Sequence, residues 1–523
     1  MVKKISPGLV ICISIICVIY FIICLIYRPI ISNDAIHSYV SLHNYLNGCS
    51  WNKLWQFNKD ASKLNAGNIT WWAPGPYEIP YLTTRILNCN IGLAICILSF
   101  ISITLGSYCY YKIFEKSSLS SNIVLTAILI LLLERFMNMN FNQYTSSDLF
   151  LFFYIPFYIF CYQKAKDTTK YYWQNLFVLL LINITGLFIK NSFLLFSTAF
   201  NIYLIVDFLF EQVRLKKPLF GVYLIKKVTS LFPFLLSVIL FYCFFLRLGV
   251  NPTSGQGFLV NVSAIISGIF SGMMGVLFGS LSVTGIYGNL REKLAFLDLY
   301  TIVIMLLFLL VTFYFIYQYR KNIKSMFQTD RMFRLTLVIS IMYIIYWLVF
   351  TLKRSFISNE DRLFLPITIF VLPYFIDYAL KANKLIKYMA YIAICLSVIY
   401  GVGTMYYRVK NYSSDRMSAN TTDNKLKGFR VFTHQINDIA QLDSVSKYIS
   451  NNHQTEKIIT TNPDGLFLLT INNQYVLVDE LTIPAAIKDH NKYLLLVPDK
   501  TIVSTTGWHS IYTTGNYNLY LSN

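Results

Sequence analysis

Apolar runs about 20 residues long recur through this chain, the length an α-helix needs to cross the hydrocarbon core of a bilayer. The first, from Gly8 to Tyr27, follows Lys3-Lys4; the others occupy roughly 91–111, 121–137, 148–163, 174–189, 192–210, 228–246, 297–317, 333–350, 363–379 and 388–407. A bilayer core offers no water to backbone N–H and C=O groups, so these runs are predicted to be helices that satisfy their own hydrogen bonds. About eleven spans result, and the fold class is an α-helical polytopic membrane protein. Hydrophobic residues make up 55% of the chain and charged residues only 13%, which excludes an ordinary soluble domain.

A net charge of +19 raises nucleic acid as a partner, but the placement of the charge argues against it. The basic residues cluster at Lys3-Lys4, Lys112 with Lys116, Lys164-Ala-Lys166 with Lys170, Arg214 through Lys227, Arg320 through Arg334, and Lys381 through Lys387. Two apolar runs separate each cluster from the next, the pattern of cytoplasmic loops under the positive-inside bias. This parity predicts a multi-pass protein of the plasma (inner) membrane with a cytoplasmic N-terminus. It puts the first loop, 28–81, the stretch 247–298, the turn Arg354–Arg362 and everything after about 407 outside. The first run is too long, and lacks a small-x-small exit, for a cleaved signal; it is read as a signal anchor. Ile15-Ile16-Cys17 lacks the small residue a lipoprotein signal needs. The Gly- and Ser-rich apolar segment 258–286 would reverse the parity if it crossed, so it is predicted to be interfacial or re-entrant.

Residues 1–407 form the transmembrane part, and 408–523 a small extracytoplasmic α/β domain. Ile436, Ile439, Leu442, Val445 and Ile449 mark a helix there, with strands predicted at 457–461, 466–471, 475–478, 493–497 and 517–521 and a turn at Asn462-Pro-Asp-Gly465. The ten cysteines lie mostly within spans, where a small apolar role is ordinary. Only Cys49 and Cys89 can meet outside, and nothing in the sequence fixes their separation.

Asp34 stands just past the outer end of the first run, in Arg28-Pro-Ile-Ile-Ser-Asn-Asp-Ala-Ile-His-Ser-Tyr39. Such a carboxylate can orient or deprotonate an acceptor hydroxyl, with apolar neighbours raising its pKa toward a useful range. Cations gather at the same kind of boundary in Lys353-Arg-Ser-Phe-Ile-Ser-Asn-Glu-Asp-Arg-Leu-Phe-Leu-Pro366. They suit a leaving lipid phosphate, and the planar fork of arginine favours Arg354 and Arg362 over Lys353. His37 lies one helical turn after Asp34, which leaves a divalent cation open. Two ligands do not define a metal site, and none is assigned. Trp71, Trp72 and Tyr77 suit either sugar stacking or a membrane-interface aromatic belt. Glu78 is either a second acid or a pairing group at the head of the next helix. Lys190-Asn191 and Arg247 also lie near outer helix ends, and Glu134-Arg135 reads as a local pair.

Four features resemble the GT-C superfamily of polytopic glycosyltransferases, close to the protein O-mannosyltransferase and aminoarabinose transferase type. They are Asp34 with Tyr39 and Tyr45-Leu-Asn-Gly48; the element Trp71-Trp-Ala-Pro-Gly-Pro-Tyr-Glu-Ile-Pro-Tyr81; Arg362-Leu-Phe-Leu-Pro366, similar to an Arg-Tyr-Leu-x-Pro motif; and the external tail domain. Two departures accompany them: Asn33 precedes Asp34 where many relatives carry a second acid, and Leu363 follows Arg362 where tyrosine is usual. The resemblance implies a polyprenyl-phosphate sugar donor, transfer with inversion, Asp34 as base, and Arg362, Arg354 and Lys353 on the donor phosphate. His37, Trp71, Trp72, Tyr77 and Glu78 become candidate substrate contacts. The acceptor is a lipid, a glycan or a protein, and no cofactor is fixed.

Other classes make different demands. A transporter or flippase holds ionisable groups near the midplane and often repeats itself in inverted order, whereas the ionisable groups here sit at the outer boundary and no repeat is visible. An O-antigen polymerase or ligase places its chemistry in a large loop between late spans, which fits the early acid and external tail less well. A non-catalytic receptor with a partner-binding tail is the third alternative. No Walker loop, zinc-type Cys/His spacing or Gly-x-Ser-x-Gly element occurs.

Overall fold

The computed structural model describes residues 5–31, 33–57, 64–69, 73–135, 137–138, 143–144, 148–167, 172–214, 222–250, 262–281, 303, 309–310, 312–313, 317, 319–353, 361–412, 418–422, 426–432, 438–460, 466–477, 491–499 and 507–522. Its helices are α1 (Pro7–Ile26), α2 (Asn33–Leu46), α3 (Gly75–Leu87), α4 (Ile91–Phe114), α5 (Ser121–Leu133), α6 (Asp148–Asp167), α7 (Tyr172–Ile189) and α8 (Phe193–Arg214). They continue with α9 (Val222–Phe244), α10 (Val262–Phe278), α11 (Arg320–Thr329), α12 (Arg331–Leu352), α13 (Asp361–Lys381), α14 (Lys384–Tyr412) and α15 (Asp438–Asn452). Every apolar run named above coincides with a helix except 297–317, which falls largely outside the described residues. By length and composition alone, five of the described helices can cross a membrane: α1, α4, α8, α12 and α14.

Local chemistry sets the helix ends. The Asn90 side chain caps α4 by accepting from the Leu93 N–H at 2.9 Å, and Asp330 caps α12 by accepting from Met332 and Phe333 at 2.8 and 3.1 Å. Small residues set the closest helix contacts, as expected where lipid supplies no hydrophobic drive. A Cβ on Gly268 would lie 3.1 Å from Leu348 Cα, and one on Gly272 would lie 3.1 Å from Ile344 Cα. Four residues forward on α10 therefore match four residues back on α12. The segment predicted as interfacial or re-entrant thus holds a helix running antiparallel beside α12, inside the bundle rather than flat on its surface; residues 282–302 lie outside the described residues.

Two sheets join distant parts of the chain. The strands are β1 (Ile30–Ile31), β2 (Lys53–Phe57), β3 (Leu64–Ile69), β4 (Gln143–Tyr144), β5 (Gly249–Val250), β6 (Ser418–Asn420), β7 (Arg430–Phe432), β8 (Lys457–Thr460), β9 (Tyr475–Leu477), β10 (Tyr493–Pro498), β11 (Trp508–Thr513) and β12 (Tyr517–Ser522). One sheet runs β4-β1-β7-β6, the other β11-β12-β10-β8-β9-β2-β3-β5. β1 follows α1, β4 lies between α5 and α6, β5 follows α9, and β6 follows α14, so these helix ends share one face of the protein. They are the ends that the basic clusters assign to a single side. The antiparallel β2–β3 hairpin of the first loop extends the tail's own sheet through the parallel pair Trp55 and Val476.

In the tail, α15, β8, β9, β10 and β12 match the sequence prediction, with Ile436 of the predicted helix outside the described residues. The strand predicted at 466–471 is absent. Leu466, Phe467, Leu468 and Leu469 are buried, but in a turn closed by the Leu469 N–H on the Leu466 carbonyl at 3.2 Å. The backbone there bonds Thr422 and the Ser446 hydroxyl instead of a ladder, so an apolar run that resembled a core strand is an irregular plug under α15. The Asn462–Gly465 turn lies outside the described residues. Cys49 and Cys89 are separate free thiols.

At the opposite face, Arg334 is the largest fully buried side chain among the described residues. It donates to Asp207 at 2.9 and 2.8 Å and to Glu211 at 3.1 Å, fastening the start of α12 to the end of α8. Asp330 beside it accepts from the Ser118 N–H and hydroxyl at 2.8 and 2.6 Å and from Tyr374 at 3.1 Å.

Candidate active site at the sheet-bearing end

Asp34 is the second residue of α2, three residues beyond β1. The position of that helix start is set by β1, where Ile30 pairs with Gln143 on one side and with Arg430 of the tail on the other. The rest of α2 is bound to the tail by its own side chains. Tyr39, fully buried, packs its ring 5.4 Å from that of Phe429, and His43 stacks on Tyr475 at 4.1 Å. His43 Nε2 lies 2.9 Å from the Asn473 carbonyl, and Gln474 donates to the Asn47 carbonyl at 2.7 Å. His37 is half-buried on the same helix.

The cations come from the other end of the sequence. Asp330 anchors the start of α12 to the far face, so the end of α12, where Lys353 sits exposed, returns to the sheet-bearing end. Arg362 is the second residue of α13, which begins at that same end. Arg354, Trp71 and Trp72 lie outside the described residues.

α3 completes the region. Its first residue, Gly75, meets the end of α7 so closely that a Cβ would lie 2.6 Å from the Phe188 carbonyl oxygen. Just beyond, Lys190 forms a buried ion pair with Asp148, the first residue of α6. Tyr77 is buried, its hydroxyl donating to Asn52 Oδ1 at 2.8 Å, so its ring faces the interior. Glu78, also buried, accepts a hydrogen bond from the Trp51 indole N–H. Burial pushes the Glu78 carboxyl above its ordinary pKa, and the indole bond offsets part of that rise. Among the described residues, no group of three or more His, Cys, Asp or Glu side chains is arranged to hold a metal ion.

Trp51, Asp148, His43 and Asn44 were not singled out from the sequence. Asp148 opens an apolar run, as Asp34 follows one, and that position was a usable signal. His43 and Asn44 carried none, because their partners lie about 430 residues away.

No protein-family model matches this sequence, and no curated protein sequence matches it. Solved structures share its fold across almost the whole chain, two of them of one enzyme. The crystal structure of ArnT from Cupriavidus metallidurans bound to undecaprenyl phosphate superposes with a TM-score of 0.53, covering 99% of this chain and 98% of that one at 11% identity. The apo state of the same enzyme gives a TM-score of 0.51 at 9% identity, covering 98% of each chain. The fold is GT-C-like. A GT-C-like fold with several apolar helices makes the chain a multi-pass membrane protein with a small, β-rich C-terminal region.

Proposed function

We propose that this protein is a lipid-dependent inverting glycosyltransferase that moves a sugar from a polyprenyl-phosphate donor to a lipid, glycan or protein acceptor at the outer face of the membrane. The observation that carries this reading is the end-to-end likeness to ArnT, one of whose structures holds undecaprenyl phosphate. The sheet-bearing end faces outward, because the lysine and arginine clusters lie at the other end. The transmembrane part, 1–407, supplies the acid and the cations, and the tail, 408–523, supports the first loop.

Asp34 takes the proton of the acceptor hydroxyl as its oxygen attacks the anomeric carbon. The bond from that carbon to the phosphate oxygen breaks, and the charge developing on the lipid phosphate is held by Arg362, Arg354 and Lys353. His37 and Glu78 are further candidate substrate contacts from the same loop, as are Trp71 and Trp72, whereas the Tyr77 ring is buried and supports the loop.

The test is a panel of radiolabelled polyprenyl-phosphate pentoses and hexoses offered to the purified chain in liposomes with membrane extract as acceptor. Label should pass from at least one donor to an acceptor. A panel in which every donor stays intact overturns the reading.

A further inference from the structure

Near the C-terminal end of α2, a turn presents an indole ring at the surface. Trp51 is 45% exposed although its N–H is held by the Glu78 carboxylate, which is only 8% exposed. The turn beneath it is fixed. Gly48 and Asn52 both take left-handed backbone angles, φ 91° and 56°. Asn52 is clamped at its side chain, donating to the Ile69 carbonyl at 3.1 Å and accepting from Tyr77 at 2.8 Å. The Ile69 N–H returns a bond to the Asn52 carbonyl at 3.2 Å. A large apolar ring face is thus locked outward, beside a carboxylate in the first turn of α3.

We propose that Trp51 and Glu78 form a carbohydrate subsite, separate from the transfer centre, that holds a pyranose unit of an extended acceptor glycan. The proposal rests on the glycosyltransferase reading above. A pyranose presents a face of C–H bonds flanked by hydroxyl donors. The indole offers the matching apolar face. A carboxylate accepts several hydrogen bonds, so Glu78 can hold the indole with one lone pair and accept from sugar hydroxyls with others. A fixed ring loses little freedom on binding.

Position along α2 assigns the subsite to an acceptor rather than to the reacting sugar. The chain turns back after the helix, and Ser41 donates to the Lys53 carbonyl at 3.2 Å, so the Trp51 turn lies beside the middle of α2, about 10 Å of helix rise from Asp34 at 1.5 Å per residue. A ring stacked on Trp51 is therefore a different unit from the one reacting at Asp34, as in an acceptor of two or more sugars.

The experiment is saturation-transfer NMR on the detergent-solubilised full chain with methyl glycosides of glucose, galactose, mannose and arabinose as probes. At least one glycoside should receive saturation at its ring C–H protons, in the wild type and equally in Asp34→Asn. Trp51→Leu should weaken its apparent affinity about two- to tenfold, the worth of an aromatic stacking contact. Glu78→Gln keeps the shape and an acceptor for the indole, so it carries the test if Trp51→Leu does not fold; it too should weaken binding. No saturation of any probe, or unchanged affinity in both variants, overturns the subsite and leaves Trp51 as an interface aromatic. A protein that binds a glycoside through Trp51 but transfers nothing overturns the transferase reading instead.

Discussion

The side-chain amide of Asn44 bonds both main-chain groups of Tyr475: its Nδ2 donates to the Tyr475 carbonyl at 2.9 Å, and its Oδ1 accepts from the Tyr475 N–H at 2.7 Å. One side chain thereby substitutes for a neighbouring strand at that point of β9. It couples the helix that begins with Asp34 to a tail some 430 residues later.

Replacing Asn44 with leucine leaves two buried backbone groups of Tyr475 without that partner, at about 1–3 kcal/mol each. The detergent-solubilised variant should melt several degrees below the wild type. Limited proteolysis should cut first between the last span and β8, because the tail is released before the helices separate.

Gly92, in the first turn of α4, faces the tail so closely that a Cβ would lie 1.5 Å from the Gly428 carbonyl oxygen. A backbone atom cannot swing aside as a side chain does. Gly92→Ala should therefore cost roughly 1–3 kcal/mol or more through overpacking. Gly403, in α14, has nothing within 4 Å of its own Cβ position. Gly403→Ala should be neutral or stabilising by up to about 1 kcal/mol. Parallel thermal melts of the two variants measure the contrast.

Arg334→Met removes the cation from a buried network and leaves Asp207 buried without it. Breaking such a pair from one side costs about 3–5 kcal/mol, whereas removing both charges is often nearly neutral. Arg334→Met should therefore accumulate poorly in membranes, and Arg334→Met with Asp207→Leu should recover much of the lost yield and melting temperature.

The long apolar helices among the described residues were legible in the sequence because a helix in lipid must be apolar for its whole length, so each reports itself locally; α10 was set apart because charge parity left no place for another span. The first loop was not legible. Lys53–Phe57 and Leu64–Ile69 form a hairpin whose parallel partner is β9, and no local pattern announces a contact over that separation. The run at 466–471 misled for a related reason: burial makes a segment apolar whether or not it has a ladder. Asp34 was singled out by its position beside a span and Glu78 by its place at the head of α3. Trp51 was missed because only the fold shows that its indole N–H is bound while its ring remains exposed.

Glu78 gives the site a pH signature. Burial raises its folded pKa above the unfolded value. The neutral form is thus favoured by folding, and its contribution is fully present below the unfolded pKa and lost as pH rises through the folded one. Glu78→Gln stays neutral at every pH. The variant should melt at or above the wild type at pH 8, with the difference shrinking as pH falls toward 4. Melting curves at a series of pH values measure this, and a difference that grows on acidification contradicts the burial of the carboxyl.

The most direct test of the central claim is transfer from a radiolabelled polyprenyl-phosphate sugar by wild type and by Asp34→Asn, purified and reconstituted at equal amounts. Loss of the base should lower the rate by about 100-fold or more, the usual worth of general base catalysis, while the variant retains wild-type folding and melting temperature. Transfer at the wild-type rate in Asp34→Asn contradicts the account.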